Sequence, residues 1–204
     1  MNDWRRKQIP VVSTALVIIN AAVYVICLFT GNTLYRAGAL GAYEVLVDGE
    51  YGRIIWSMFL HSGTNHILNN MLILFFLGAM IEKETGHILY ALLYFLSGIG
   101  GNILSLYIKA INGDMSISVG ASGAVFGLDG VLLAMVLLSD KRLENVTPVR
   151  VIMMVVLSLY NGFTAYNIDN AAHVGGLITG FLAGGLVCII QRRSRGGGGR
   201  NSFA

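Results

Sequence analysis

Charge is what this chain has least of. Its 204 residues include 14 lysines and arginines and 11 aspartates and glutamates, 12% in all, against 55% hydrophobic residues. A soluble domain of this length carries about twice that charged fraction, so composition excludes a soluble globular fold. The mean hydropathy of +0.67 agrees. Cysteine is scarce as well, with only Cys27 and Cys188. They fall in the first and last apolar runs, toward opposite faces of a membrane, whereas a disulfide requires Cα atoms within about 7 Å. Both read as apolar filler. No stripe of interleaved basic and aromatic residues offers a surface to nucleic acid, which is therefore not an expected partner.

Other absences narrow the chemistry. None of the four histidines forms H-E-x-x-H, so a membrane metalloprotease is excluded, and no metal or cofactor is expected. Asp129 is the only aspartate well inside an apolar run, while an aspartyl protease of the membrane needs two. No internal repeat points to a transporter.

What remains is a set of apolar runs near the roughly twenty residues that span a bilayer. They lie at about 10–30, 63–82, 88–108, 119–139, 149–166 and 171–190. The sequence thus predicts an all-α membrane protein, a bundle of six transmembrane helices. Its expected parts are a cytoplasmic N-terminus over 1–9, a six-span domain over 10–190 and a flexible basic tail over 191–204. The first run follows "WRRK" but is too long for a signal peptide and lacks a close small-x-small cleavage site.

The cations set the orientation. With a cytoplasmic N-terminus, Arg5, Arg6, Lys7, Lys83, Lys141, Arg142, Arg150, Arg192, Arg193, Arg195 and Arg200 fall inside. Only Arg36, Arg53 and Lys109 fall outside. Both termini are expected in the cytoplasm, with the chain embedded in the lipid of a bacterial cytoplasmic (inner) membrane.

Polar groups inside a membrane are costly and usually functional. His66, Asn69 and Asn70 lie in the second run, Ser122 and Asp129 in the fourth, and Asn170 and His173 at the start of the sixth. Helices two, four and six share one direction, so His66, Ser122 and His173 are each expected a few residues into their helix at one depth, below the outer surface. Gly176, Gly180 and Gly184 recur every four residues beside His173, and Gly123, Gly127 and Gly130 follow Ser122. Facing glycine stripes let helix backbones approach closely.

Such packing would bring His173 to Ser122. A serine needs a neighbouring base to act as a nucleophile at neutral pH, and a histidine can take its proton and return it to a leaving amine. No carboxylate is placed to complete a triad, so the expected catalytic pair is a Ser122–His173 dyad. Phe126, one turn below the serine, can stack on the imidazole, and Asn170, one turn before His173, can support it by a hydrogen bond. Oxyanion donors are expected from His66 and Asn70, spaced i, i+4 on one helix face, and from the backbone N–H of Ser122 at a positive helix end. Asp129, two turns deeper, has no catalytic role in this scheme.

Three motifs in this order resemble the rhomboid family of intramembrane serine proteases. "HILNN" carries an H-x-x-x-N pair on His66 and Asn70, "GASG" at 120–123 is similar to the family's nucleophile motif, and "AHVGG" is similar to the motif of its base. The resemblance runs from about residue 50 to 185. It implies a six-helix core opening to the outer face, with the loop after the first helix partly in the interface. It also implies cleavage of single-span membrane proteins within or beside their transmembrane segment, without metal or cofactor. Two positions depart from the family: Gly52 replaces a tryptophan before the loop arginine, and Asp129 replaces an apolar residue. The competing reading is a rhomboid-like protein that captures membrane clients without cutting. Such proteins lack the serine or the histidine, and this chain has both.

Overall fold

The computed structural model describes residues 9–139, 147–164 and 168–197. In chain order its helices are Val11–Thr30 (α1), Asn32–Gly38 (α2), Ala42–Leu46 (α3), Arg53–Trp56 (α4), Thr64–Thr85 (α5), His87–Asn112 (α6), Ser122–Leu138 (α7), Pro148–Thr164 (α8) and Asn170–Gly197 (α9). Among the described residues there is no β-strand, only an antiparallel bridge between Leu40 and Ser118. The six long helices fall on the six apolar runs. Four of them, α1, α5, α6 and α9, are long and apolar enough to cross a membrane, and α7 is a shorter apolar helix of 17 residues. The cations Arg5, Arg6, Lys7, Lys141, Arg142 and Arg200 and the chain beyond Gly197 lie outside the described residues.

Glycine decides where the helices touch. A β-carbon on Gly176 of α9 would sit 1.9 Å from the carbonyl oxygen of Gly123 in α7, and one on Gly180 would sit 1.9 Å from that of Gly127. The two predicted stripes therefore face each other, backbone against backbone. On its other side α9 meets α6, where a β-carbon on Gly101 would lie 2.6 Å from the carbonyl oxygen of Ala172. The centre of the bundle is this α6–α7–α9 group. Around it, bulky residues such as Leu74, Ile81, Tyr90, Tyr94, Leu128 and Val131 fill the interior. Ile18, Phe29, Leu72, Phe76, Leu92, Leu182 and Leu186 point outward, as lipid-facing positions do.

The C-terminal end of α5 holds a second buried acid. Glu82 is 0% exposed and accepts hydrogen bonds from the backbone N–H groups of Val12 (2.9 Å) and Ser13 (2.8 Å) and from the Ser13 hydroxyl (2.7 Å). His87 Nδ1 lies 2.5 Å from Oε1, the oxygen that also accepts the Val12 N–H. The carboxylate thus satisfies the unpaired N–H groups at the start of α1 and opposes the positive end of that helix. Asp129 is therefore not the only acid enclosed by the bundle.

Residues 31–63 form the long connection between α1 and α5, which runs through α2, α3, α4 and a 3-10 turn over Ser57–Phe59. Arg53 organises it, with Nε donating to Glu50 (2.5 Å) and Nη1 donating to the carbonyls of Arg36 (2.7 Å) and Ala39 (2.9 Å). Gly52 leaves open space where a side chain would project. Tyr43, Leu46, Val47, Tyr51 and Trp56 remain exposed along the loop, an apolar edge suited to a membrane interface.

Candidate active site

α7 begins at Ser122, three residues later than the apolar run suggests. The preceding segment is held out of the helix. Ser118 exchanges backbone hydrogen bonds with Leu40 (2.8 and 2.9 Å), and Gly120 N–H donates to Ser57 O (2.9 Å). Gly120 has φ +130, a conformation that glycine adopts freely and other residues resist. Farther back, the Lys109 ammonium donates to the Ser116 carbonyl (3.0 Å) and hydroxyl (2.7 Å). Ser122 thus stands in the first helical position rather than a turn inside. Its N–H and those next to it have no partner within their own helix.

The facing glycines bring α9 against this end. Nε2 of His173 lies 2.9 Å from Oγ of Ser122. His173 is 6% exposed and stacks on Phe126, with ring centroids 4.1 Å apart and planes 12° from parallel. Among the described residues its Nδ1 has no hydrogen-bond partner. Asn170 opens α9 one turn earlier but makes no hydrogen bond to the imidazole, contrary to the sequence expectation. The backbone explains this: α9 is capped by Asp169, whose carboxylate accepts the N–H of Ala172 (2.9 Å), and Asn170 follows the cap.

His66 comes from the first turn of α5. A β-carbon on Gly120 would lie 2.8 Å from His66 Cε1 and Nε2 and 3.6 Å from Ser122 Oγ. The missing side chain of Gly120 is what lets the imidazole and the hydroxyl share one small space. Ser62 Oγ lies 3.1 Å from His66 Nδ1, which leaves Nε2 toward the serine side. Asn70, one turn on, is 5% exposed, and its Nδ2 donor has no partner among the described residues. A buried orphan donor is costly unless something else accepts from it. Asn69 instead faces outward. Asp129 is 2% exposed with Oδ1 unpartnered, two turns below Ser122.

Two residues that sequence reasoning passed over also line this region. His61, in the turn before α5, is 4% exposed and meets His66 edge-to-face, with centroids 5.1 Å apart. Burial, with His66 beside it, pushes its imidazole down to about 4, so it is neutral near pH 7. Asp169 is the other. An aspartate just before an apolar helical run is an N-cap signature, and that signal was available. Its partners across the fold were not. Among the described residues no group of three or more histidines, cysteines or acids is gathered as metal ligands would be.

The chain is 41% identical to RHOMBOID-like protein 4 of Arabidopsis thaliana over 77% of its own length and 39% of that protein. It is 39% identical to RHOMBOID-like protein 1 of the same plant over 74% of its length and 38% of the relative. Rhomboid protease GluP of Bacillus subtilis (strain 168) is 36% identical over 71% of this chain and 28% of its own length. The chain thus spans well under half the length of these relatives. The family model described as "Rhomboid domain" matches residues 48–190, which contain every candidate site residue. The chain belongs to the rhomboid family.

Proposed function

We propose that this chain is an intramembrane serine endopeptidase that hydrolyses peptide bonds within or beside the transmembrane segment of single-span membrane proteins. The observation that carries this reading is the 2.9 Å approach of Ser122 Oγ to His173 Nε2. Ser122 is the nucleophile. With the imidazole proton on Nδ1, Nε2 accepts the hydroxyl proton as Oγ attacks the scissile carbonyl. The tetrahedral oxyanion forms beside the Ser122 N–H, His66 and Asn70, and the unpartnered Nδ2 of Asn70 supports its part in this. His173 then delivers the proton to the leaving amine. The acyl-enzyme is cleared by a water that passes its proton to the same nitrogen, which returns it to Oγ as the acyl–Oγ bond breaks. Phe126 holds the ring plane by stacking.

A helix hides its carbonyls in internal hydrogen bonds, so the substrate must unwind near its outer end. Small or helix-breaking residues at the cut suit a site lined by Gly120 and Gly123. The division of the cations supports cytoplasmic termini and a site that opens to the opposite face.

The test is to reconstitute the protein with a tagged single-span substrate and compare wild type with Ser122→Ala. Wild type should cut and be labelled at Ser122 by a fluorophosphonate, and the variant should do neither. Substrate retention without cutting by the wild type would favour the non-cleaving reading.

A further inference from the structure

Among the described residues, Asp169 joins three separate parts of the bundle: α6, the segment before α7 and the start of α9. Its Oδ2 accepts the hydroxyl of Ser105, on α6, and the hydroxyl of Ser118 at 2.5 Å. Its Oδ1 accepts the Ala172 N–H at 2.9 Å, and its backbone carbonyl accepts the N–H of His173 itself at 3.2 Å. Ser118 lies four residues before Ser122, in the segment pinned to Leu40. One carboxylate therefore grips the segment that presents the nucleophile and the helix end that presents the base.

We propose that Asp169 is a positioning residue, tethering the Ser122 segment to the His173 helix so that Oγ and Nε2 stay in register. The inference rests on the protease reading above. Asp169 touches neither reacting atom: its oxygens are occupied by Ser105, Ser118 and Ala172, and Nδ1 of His173 is left without a partner. It acts through Ser118 and the first turn of α9. Glycine contacts set how close α7 and α9 lie, and a slide along the helix axis would take Oγ and Nε2 out of register. A charged acceptor shared by two hydroxyls resists that slide, because charge-assisted hydrogen bonds are short and strong. A misplacement of about 1 Å at reacting atoms costs on the order of a hundredfold in rate.

Asp169→Ser separates the tether from the helix cap. Serine caps a helix nearly as well as aspartate but lacks the second oxygen and the reach to hold both hydroxyls. The expected result, assayed well below the unfolding midpoint, is a melting temperature lowered by several degrees, since the buried Ser105 hydroxyl loses its acceptor, with a kcat per folded molecule lower by about ten- to a hundredfold and a KM within about twofold. The rate of fluorophosphonate labelling at Ser122 should fall in parallel with kcat. Ser118→Ala should lower both rates on its own, and the double variant should be no worse than Asp169→Ser, because the two residues share one bond. Labelling and cleavage by Asp169→Ser at wild-type rates would overturn the tether while leaving the protease reading intact. A wild type that neither labels nor cuts removes the protease reading, and the tether falls with it.

Discussion

Ser122 Oγ and His173 Nε2 lie 2.9 Å apart although 51 residues separate them in the chain. The contact needs no movement of either helix to form, and the Phe126 ring lies flat against the imidazole 4.1 Å away. His173→Ala should lower cleavage by several orders of magnitude, because a base and its nucleophile act as a unit. Phe126→Leu removes the stacked ring and should lower kcat by about two- to tenfold, the scale of an aromatic pair worth about 0.5–1.5 kcal/mol. Steady-state cleavage in liposomes measures both. Equal rates for Phe126→Leu and wild type would mean that packing alone holds the imidazole.

Asn70 carries a buried donor without a partner. If that donor meets the oxyanion, Asn70→Ala should cost about 2.7–4 kcal/mol of transition-state stabilisation, roughly a hundred- to thousandfold in kcat. The ground state should lose little stability, since no bond is broken there. The measurement is kcat per folded molecule together with the thermal midpoint. A lower midpoint with an unchanged rate would assign Asn70 to packing.

The glycine contacts are testable by a single methyl group. Gly176→Ala places a β-carbon 1.9 Å from the Gly123 carbonyl oxygen, a backbone atom that cannot swing aside. Overpacking of this kind should cost about 3 kcal/mol or more and separate α7 from α9, lowering both thermal stability and activity. Gly185→Ala is the control, because its nearest neighbour is a Leu138 methyl at 3.2 Å. It should be neutral or gain up to about 1 kcal/mol from helix propensity. Similar unfolding temperatures for the two variants would refute the close contact.

His61 gives the fold a pH dependence. Burial holds its folded imidazole down to about 4, against 6.5 for the unperturbed group. The unfolded chain therefore binds a proton that the folded chain refuses between these values. Its contribution to stability is complete above about pH 6.5 and is lost as pH falls toward 4, by on the order of 3 kcal/mol in full. His61→Leu should flatten the fall of the thermal midpoint across that window. Parallel curves for variant and wild type would show that His61 does not bear this load.

The membrane class, the six helical runs and the residues of the Ser122–His173 pair were legible in the sequence because each has a local cause. Apolar length, scarcity of charge and glycine at four-residue spacing act within a single segment, and a one-dimensional reading captures them. Phe126 was legible for the same reason, as one helical turn from Ser122 on the same face.

The tertiary structure decided the rest, through partners distant in the chain. The start of α7 at Ser122 depends on Leu40 and Ser57, which hold Ser118 and Gly120 out of the helix. No periodicity within 119–139 reports that. Glu82 reads as an ordinary acid at a helix end until α1 places the N–H groups of Val12 and Ser13 on it, 70 and 69 residues away. Asp169 announces a helix cap locally, but its hold on Ser105 and Ser118 spans 64 and 51 positions. Asn170 shows the same limit in reverse: a side chain one turn from His173 can reach it, and only the bound cap at Asp169 determines which residue the helix start uses. Local sequence sets which groups are offered to the interior. The packed backbone sets which of them meet, because a buried donor or acceptor is stable only where a partner from another element arrives within hydrogen-bond distance.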